Sequence, residues 1–316
     1  MQFPGEGDPL RPVDGVSFDV GRGEIVGLVG ESGSGKSLTA LAVACLAPYP
    51  GRVRADSLRL SGEELLTLAP DRRRRLLGTR LAMVFQDPMS SLNPALRVGI
   101  QLIEGAQTHR HIGRAEAMLE ARDRLASVHI AGADQRLRQY PHEFSGGMRQ
   151  RVTIAMGLMN QPDLIIADEP TTALDVTVQA QIVQVLEQIN REAGTAILLI
   201  SHDLALVSQV CSRALVMYAG RVVEEGPIGV LLDSPAHPYT KALMAAVPDL
   251  RKDRQTPLET IAGRPPDLGD LPPGCAFAPR CPIAVERSRE EAPALDAVGP
   301  GHRVACWVAQ EEARRR

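Results

Sequence analysis

The run Gly30-Glu31-Ser32-Gly33-Ser34-Gly35-Lys36-Ser37 has the spacing of a phosphate-binding loop. Glycines let such a loop fold tightly enough for its N–H groups to face phosphate oxygens. Lys36 is placed to neutralise the β- and γ-phosphates and Ser37 to hold Mg²⁺. A glycine-rich surface turn is the alternative, but an apolar run, Ile25 to Val29, enters the loop and a helix start, Leu38-Thr39-Ala40-Leu41-Ala42, leaves it. Strand before and helix after is the context the chemistry requires. A second apolar run, Leu164-Ile165-Ile166-Ala167, ends in Asp168-Glu169. There Asp168 is placed to bind magnesium, usually through water, and Glu169 to accept a proton from the attacking water or to orient it. Adjacent carboxylates often simply solvate a strand end, so this pair gains its weight from the phosphate loop.

These groups need a rigid frame. Ile25–Val29, Leu164–Ala167 and a third apolar run, Ala196 to Ile200, read as strands buried on both faces, as in a parallel sheet. Between the last two, Val178, Ile182, Val185, Leu186 and Ile189 share one face of a helix that begins after Thr171-Thr172 and Asp175. Strand, helix, strand implies an α/β fold with its functional loops at the carboxyl ends of the strands. Val16, Phe18 and Val20 alternate with Ser17 and Asp19 and predict a strand that turns at Gly21-Arg22-Gly23 into the next. Residues from about 87 to 158 read as a helical insertion, with Met118, Ala121 and Leu125 at helical spacing. From Ile261 the chain is rich in proline, from Pro265-Pro266 to Pro300, which forbids long helices and central strands. Such a tail is expected to be disordered, draped over another surface or pinned by a ligand.

Length and charge narrow the class. With 316 residues, 44% of them hydrophobic, the chain can bury one large domain with an appendage. A formal net charge of -3 gives no overall field toward nucleic acid. The run Arg72-Arg73-Arg74-Arg75 lacks interleaved aromatics and reads as a solvated helix face. No apolar run approaches the roughly 18 residues of a membrane span, and the first residues lack a signal-peptide layout, so the expectation is a cytosolic chain that meets a membrane through partners. Its five cysteines, Cys45, Cys211, Cys275, Cys281 and Cys306, are too few and too uneven for a secreted disulfide framework; Cys45 and Cys211 read as small buried residues.

Phe144-Ser145-Gly146-Gly147-Met148-Arg149-Gln150-Arg151 resembles the signature motif of ABC-type ATPases and lies just ahead of the acidic strand. Gln86 in Val84-Phe85-Gln86-Asp87 is similar to that family's glutamine loop, Thr172-Ala173-Leu174-Asp175 to its D-loop, and His202 in Ile200-Ser201-His202-Asp203 to its switch histidine. A lone histidine at a strand end is more often a satisfied polar residue, but here it completes an ordered set. The resemblance implies a P-loop ABC-type nucleotide-binding domain over 1–240, with its helical subdomain about 87–158, and a Pro-rich irregular extension over 241–316. It implies ATP bound by Gly30, Glu31, Ser32, Gly33, Ser34, Gly35, Lys36, Ser37 and Thr39, with Mg²⁺ held by Ser37, Gln86 and Asp168. Glu169, His202, Gln86 and Lys36 are the implied catalytic residues. Family members stack adenine on an aromatic upstream of the loop; Phe3 occupies that place, or is a frayed terminal residue, and the strand expected ahead of it is missing. Two such domains pack head to tail, so Ser145, Gly146 and Gly147 would face the ATP of a second ABC ATPase subunit, identical or sister, with Asp175 in the D-loop.

Asp87-Pro88-Met89-Ser90-Ser91-Leu92-Asn93-Pro94, Tyr140-Pro141-His142-Glu143-Phe144 and His237-Pro238-Tyr239-Thr240 resemble the oligopeptide/dipeptide permease ATPases, and Met148 resembles their D-type subunit, which pairs with an F-type sister. The resemblance implies a chain that powers peptide import from the cytoplasmic face of the membrane. Its partners would be two transmembrane permease subunits and, indirectly, an extracytoplasmic binding protein, with no nucleic acid. Relatives with this pattern also import nickel or other small solutes. Soluble ABC ATPases acting on nucleic acid carry long insertions or paired domains absent here, and a non-hydrolysing regulatory subunit could lose Glu169, which this chain keeps. The tail from Leu271 through Cys275 and Cys281 to Pro282 resembles a segment in which four cysteines of some members hold an iron–sulfur cluster. In this chain the third ligand position is Ser288, leaving Cys275, Cys281 and Cys306 with His302 nearby. A bound metal or cluster and a metal-free tail are both open.

Overall fold

A computed structural model describes residues 1–5, 9–172, 174–246 and 261–315. In chain order the strands are β1 (Ile25–Val29), β2 (Arg59–Leu60), β3 (Glu63–Glu64), β4 (Leu81–Val84), β5 (Leu164–Asp168), β6 (Ala196–Ser201), β7 (Arg213–Tyr218), β8 (Arg221–Pro227), β9 (Asp296–Gly299) and β10 (His302–Val304). The chain forms two compact units: Met1–Asp19, Ile25–Arg54 and Leu199–Arg316 in the first, Val20–Glu24 and Ala55–Leu198 in the second.

In the first unit the strand neighbours run β1-β7-β8-β10-β9. β1 is buried at all its residues and pairs in parallel with β7, Val26 opposite Arg213 and Val29 opposite Val216. Gly27 is required in β1 because a Cβ there would sit 2.3 Å from Val207 Cγ1 on the helix Leu204–Val210. From β7 outward the pairing turns antiparallel, through the Ala219-Gly220 turn into β8 and then to β10 and β9. The sheet is therefore mixed, where the apolar runs alone suggest a purely parallel one. A short antiparallel edge carries no continuous apolar run, because only part of its side chains are buried.

Of the three alternatives expected for the proline-rich tail, draping over another surface is the one that forms. The tail is draped over the first unit as an ordered element: β10 extends β8, and the helix Trp307–Arg315 follows. Two internal devices hold it. The Glu224 carboxylate, with no solvent exposure, accepts the N–H groups of Ala236 (2.6 Å) and His237 (2.9 Å) and pairs with His302 Nε2 at 2.8 Å. Phe277 is buried against the rings of Tyr218, Tyr239 and His237, with centroids 5.3, 5.4 and 5.9 Å away. Buried aromatic area and a fully partnered carboxylate replace the apolar helix face that the prolines preclude. Of the expected 241–316 extension, 247–260 and 316 lie outside the described residues, as does Ala173.

In the second unit β4 and β5 run parallel, Leu81 opposite Leu164 and Val84 opposite Ala167, and β2–β3 make a short hairpin. Helix Val176–Ala193 begins at Asp175, whose side chain accepts from Val178 N, ends at the left-handed Gly194, and buries Ile182, Val185, Leu186 and Ile189. Residues 87–158 contain five α-helices, the longest being Val98–Arg110, Arg114–Ser127 and Gly146–Leu158, and the 3-10 turn Pro141–Glu143. On the middle one the buried stripe is Ala117, Ala121 and Leu125, so Met118 lies one position off the core face. Arg110 clamps this region, donating to both Glu120 oxygens (2.6 and 2.8 Å) and to the Met159 carbonyl.

The strand expected at residues 16–20 does not form. Val16, Phe18 and Val20 are half-buried and Ser17 and Asp19 exposed, so the alternation is real, but no ladder pairs it. The Gly21 turn does close, with Glu24 N donating to Gly21 O at 3.1 Å. No described helix is long and apolar enough to cross a membrane.

His237 gives the first unit a pH response. Burial pushes its pKa down to about 3 from 6.5, against an opposing hydrogen bond with the Ala305 backbone. Between those values the unfolded chain binds a proton that the folded one does not, so stability is complete above 6.5 and falls as pH drops toward 3. His237→Asn keeps an acceptor at the helix start but removes this titration. In urea unfolding from pH 7 to 4.5, the native chain should lose stability faster than the variant, by up to about 1.4 kcal/mol per pH unit. Parallel curves would show that His237 already takes up its proton while folded.

Candidate functional site

β1 delivers the chain into the loop Gly30–Gly35, and the helix Lys36–Val43 leaves it. The turn depends on missing side chains. At Gly30 (φ +154) a Cβ would lie 2.2 Å from Met217 O, and at Gly35 (φ +100) 2.4 Å from Pro12 O. The loop wraps its own lysine: Lys36 is buried, and Nζ donates to Gly30 O at 2.8 Å and Glu31 O at 2.9 Å. Ser34 N donates to Glu31 O, and Gly220 N to Ser34 O, tying the loop to the β7–β8 turn. Ser34 Oγ is buried with no hydrogen-bond partner among the described residues, while Ser32 and Gly33 are exposed. A cradle with an orphaned buried hydroxyl and exposed N–H groups at a helix start fits a polyphosphate.

Besides Lys36, two members of the expected ATP set are otherwise engaged. Thr39 is buried and its hydroxyl donates to Gly35 O at 3.0 Å. Glu31 N donates to Tyr239 Oη at 2.7 Å, and its carboxylate accepts from Arg280 at 2.8 and 3.1 Å. Tyr239 and Arg280 are absent from the sequence-derived set. Both fall in stretches that carry the family resemblance, but their reach of 208 and 249 residues has no local signal. Phe3 is not frayed: it bridges Leu10, its neighbour Gln2 bridges Arg52, and its ring lies where a Cβ on Gly51 would meet it at 2.6 Å. His202 is exposed at the end of β6, just before a helix capped by Asp203.

The second unit holds the carboxylates. Asp168 ends β5 with 6% exposure. Glu169 follows in a left-handed conformation, φ 46, which costs a non-glycine residue about 1–3 kcal/mol and persists only where surroundings impose it. The surroundings are identifiable: Glu169 Oε2 accepts from Gln86 Nε2 at 3.2 Å and from Thr172 Oγ1 at 2.9 Å. The sequence points to Gln86, while Thr172 is singled out there for its place before a helix and in the D-loop, not as a partner of Glu169. Ser145 caps helix Gly146–Leu158, accepting from Met148 N at 3.3 Å. Gly147 must lack a side chain, since a Cβ would meet Val178 Cγ1 at 2.4 Å. Asp175 likewise spends its carboxylate on a helix cap, at 2.9 Å from Val178 N.

In the tail, Cys275, Cys281, Cys306 and Ser288 line one small cavity. Burial pushes the Cys275 thiol up, reinforced by Cys306 and Cys281, and burial likewise raises Cys281. Among the described residues no three His, Cys, Asp or Glu side chains are grouped to hold a metal ion, and His302 is committed to Glu224. As arranged, these residues do not fit a cluster.

An α/β sheet that feeds a phosphate loop defines a P-loop nucleotide-binding class. Comparison with known proteins narrows it. Residues 13–172 match the family model described as "ABC transporter" and residues 223–287 that described as "Oligopeptide/dipeptide transporter, C-terminal region". The chain is 48% identical over 98% of its length to a probable peptide ABC transporter ATP-binding protein of Sinorhizobium fredii, covering 92% of that protein. It is 45% identical over its full length to the dipeptide transport ATP-binding protein DppD of Escherichia coli, covering 96% of it. Among solved structures, the dimeric bacterial ABC transporter cassette MJ0796 superposes with a TM-score of 0.61 at 26% identity, over 72% of this chain and 95% of that one. The chain belongs to the ATP-binding proteins of ABC transporters. It is an ATPase, it uses ATP with Mg²⁺, and its family works with permease components.

The burial of the thiols has a direct readout. Cys211, pushed up to about 12 by burial, should stay unmodified when the native chain is treated with iodoacetamide at pH 7.5, and Cys275 and Cys281 should react more slowly than they do after unfolding. Mass spectrometry of the peptides checks it; rapid native labelling of Cys211 would contradict the packing around it.

Proposed function

We propose that this chain is the ATP-hydrolysing subunit of an importer of di- or oligopeptides, working at the cytoplasmic face of the membrane. The observation that carries the cargo is the tail: residues 223–287 match the oligopeptide/dipeptide region rather than a general ATPase element. Labelled dipeptide uptake by cells lacking the gene tests it. Loss of peptide uptake supports the reading, and unchanged peptide uptake with lost nickel uptake overturns it.

The proposed partners are a second ATPase subunit, an F-type sister or another copy, two membrane permease subunits and, through them, an extracytoplasmic binding protein. The dimeric cassette supports the first, as does a helix opening at Ser145-Gly146-Gly147 with its positive end available for the partner's γ-phosphate. In the proposed mechanism the loop N–H groups and Lys36 hold the β- and γ-phosphates, releasing Lys36 from the carbonyls that it now contacts. By the motif reading, Ser37, Asp168 and Gln86 are the residues that would hold Mg²⁺, which when bound would supply charge neutralisation at the transferring phosphate. The donor set is all oxygen and sparse, which suits an ion that keeps most of its waters. With its amide nitrogen on Glu169, Gln86 has its oxygen left for the ion. Glu169 accepts the proton of the attacking water or orients it, His202 contacts the γ-phosphate, and Phe3 stacks on adenine.

Glu169→Gln keeps shape and both donor contacts but removes the base. It should bind Mg-ATP at near wild-type affinity, hydrolyse it at least about 100-fold more slowly and trap the ATPase dimer. Turnover at the wild-type rate would remove Glu169 from the mechanism. For the tail we propose a cluster-free thiol cavity, supported by Ser288 and by the raised thiols. Anaerobically purified chain should contain no stoichiometric iron or acid-labile sulfide; finding both would restore the cluster, with Ser288 as a ligand.

A further inference from the structure

One side chain of the tail enters the phosphate loop. Arg280 is 5% exposed, and every edge of its guanidinium is committed. Nη1 and Nη2 grip the two Glu31 oxygens at 2.8 and 3.1 Å in a fork-on-fork pair, Nη1 also reaches Tyr218 Oη at 3.2 Å, and Nε donates to the Ala262 carbonyl at 2.8 Å. The group lies 5.8 Å from the Tyr218 ring centre and 5.7 Å from that of Phe277, both within cation–π range. A planar guanidinium fixed on so many sides is pre-organised for one bidentate partner.

That partner matters because of its place. Glu31 is the acidic residue of the phosphate loop, between Gly30 and Ser32, and an unneutralised carboxylate there would repel the polyanion that the loop is shaped to receive. Its backbone is pinned as firmly as its side chain: the N–H goes to Tyr239 Oη, and the carbonyl accepts from Lys36 Nζ and Ser34 N. We propose that Arg280 is a positioning residue for nucleotide binding, neutralising Glu31 and fixing the loop's first turn, so that the C-terminal tail is a working part of the ATP site. The inference rests on the phosphate-loop reading above and adds to it a requirement for a residue 249 positions away.

The test is Mg-ATP binding by the full-length chain, measured calorimetrically for Arg280→Gln, Arg280→Lys, Glu31→Gln and the double variant Arg280→Gln/Glu31→Gln. Arg280→Gln should weaken binding about tenfold and Arg280→Lys by about two- to fourfold, since lysine keeps the charge but not the fork. Removing the stranded carboxylate in the double variant should bring affinity back to within about threefold of wild type, and Glu31→Gln alone should bind at least as tightly as wild type. A merely structural Arg280 would give a loss that Glu31→Gln does not relieve, and that result overturns the proposal, as does wild-type affinity in Arg280→Gln. Should Arg280→Gln fail to fold, the pair Arg280→Lys and Glu31→Gln decides it: equal weakening in both, or in neither, overturns it. Lys36→Ala, run alongside, separates the two levels, since retained binding there would sink the phosphate-loop reading itself.

Discussion

A loop that offers backbone N–H groups to a ligand can spend few of them on its own pairing, so much of its hold has to come from outside. That constraint organises the first unit. Gly30 and Gly35 bring the loop backbone against Met217 O and Pro12 O at distances that no side chain would permit. Gly220 N anchors Ser34, Tyr239 anchors Glu31 N, and Arg280 anchors the Glu31 carboxylate. β7, β8 and the aromatic cluster of Tyr218, Tyr239 and Phe277 are the scaffold that these anchors require.

The second unit solves a related problem by strain. Glu169 stands at φ 46, and Gln86 and Thr172 both donate to one of its oxygens. A carboxylate held in one orientation by two neutral donors has already lost the rotamer freedom that chemistry would otherwise have to remove.

How much of this was legible depends on range in sequence. β1, β5 and β6 are continuous apolar runs because both faces are buried, and Asp175, Gly194 and the stripe from Ile182 to Ile189 mark a helix by cap and period. Motif spacing points to the phosphate loop, Gln86, Glu169 and Ser145, which lie just past the ends of β1, β4 and β5 and just before the helix Gly146–Leu158. What spacing misses is set by partners hundreds of residues away, such as Tyr239 and Arg280 on Glu31 and His302 on Glu224. Residues 16–20 fail in the opposite sense: their alternation reports a half-buried surface, but a ladder needs a neighbour that no local pattern specifies. For the tail, proline density rules out long helices but leaves open which surface it lies on, since the ring contacts of Phe277 and the pairing of β10 with β8 have no local pattern.

The β9–β10 hairpin carries one more consequence. β8 without β10 would present an open row of backbone donors and acceptors next to a strongly apolar strand, a template for pairing between chains. Where the sheet now ends, the outermost strand is only Asp296–Gly299, begins with a charge and runs straight into Pro300, which has no N–H to offer. The tail thus acts as a selvedge for the sheet: it lets the nucleotide fold stop cleanly and keeps it from recruiting another chain along that border.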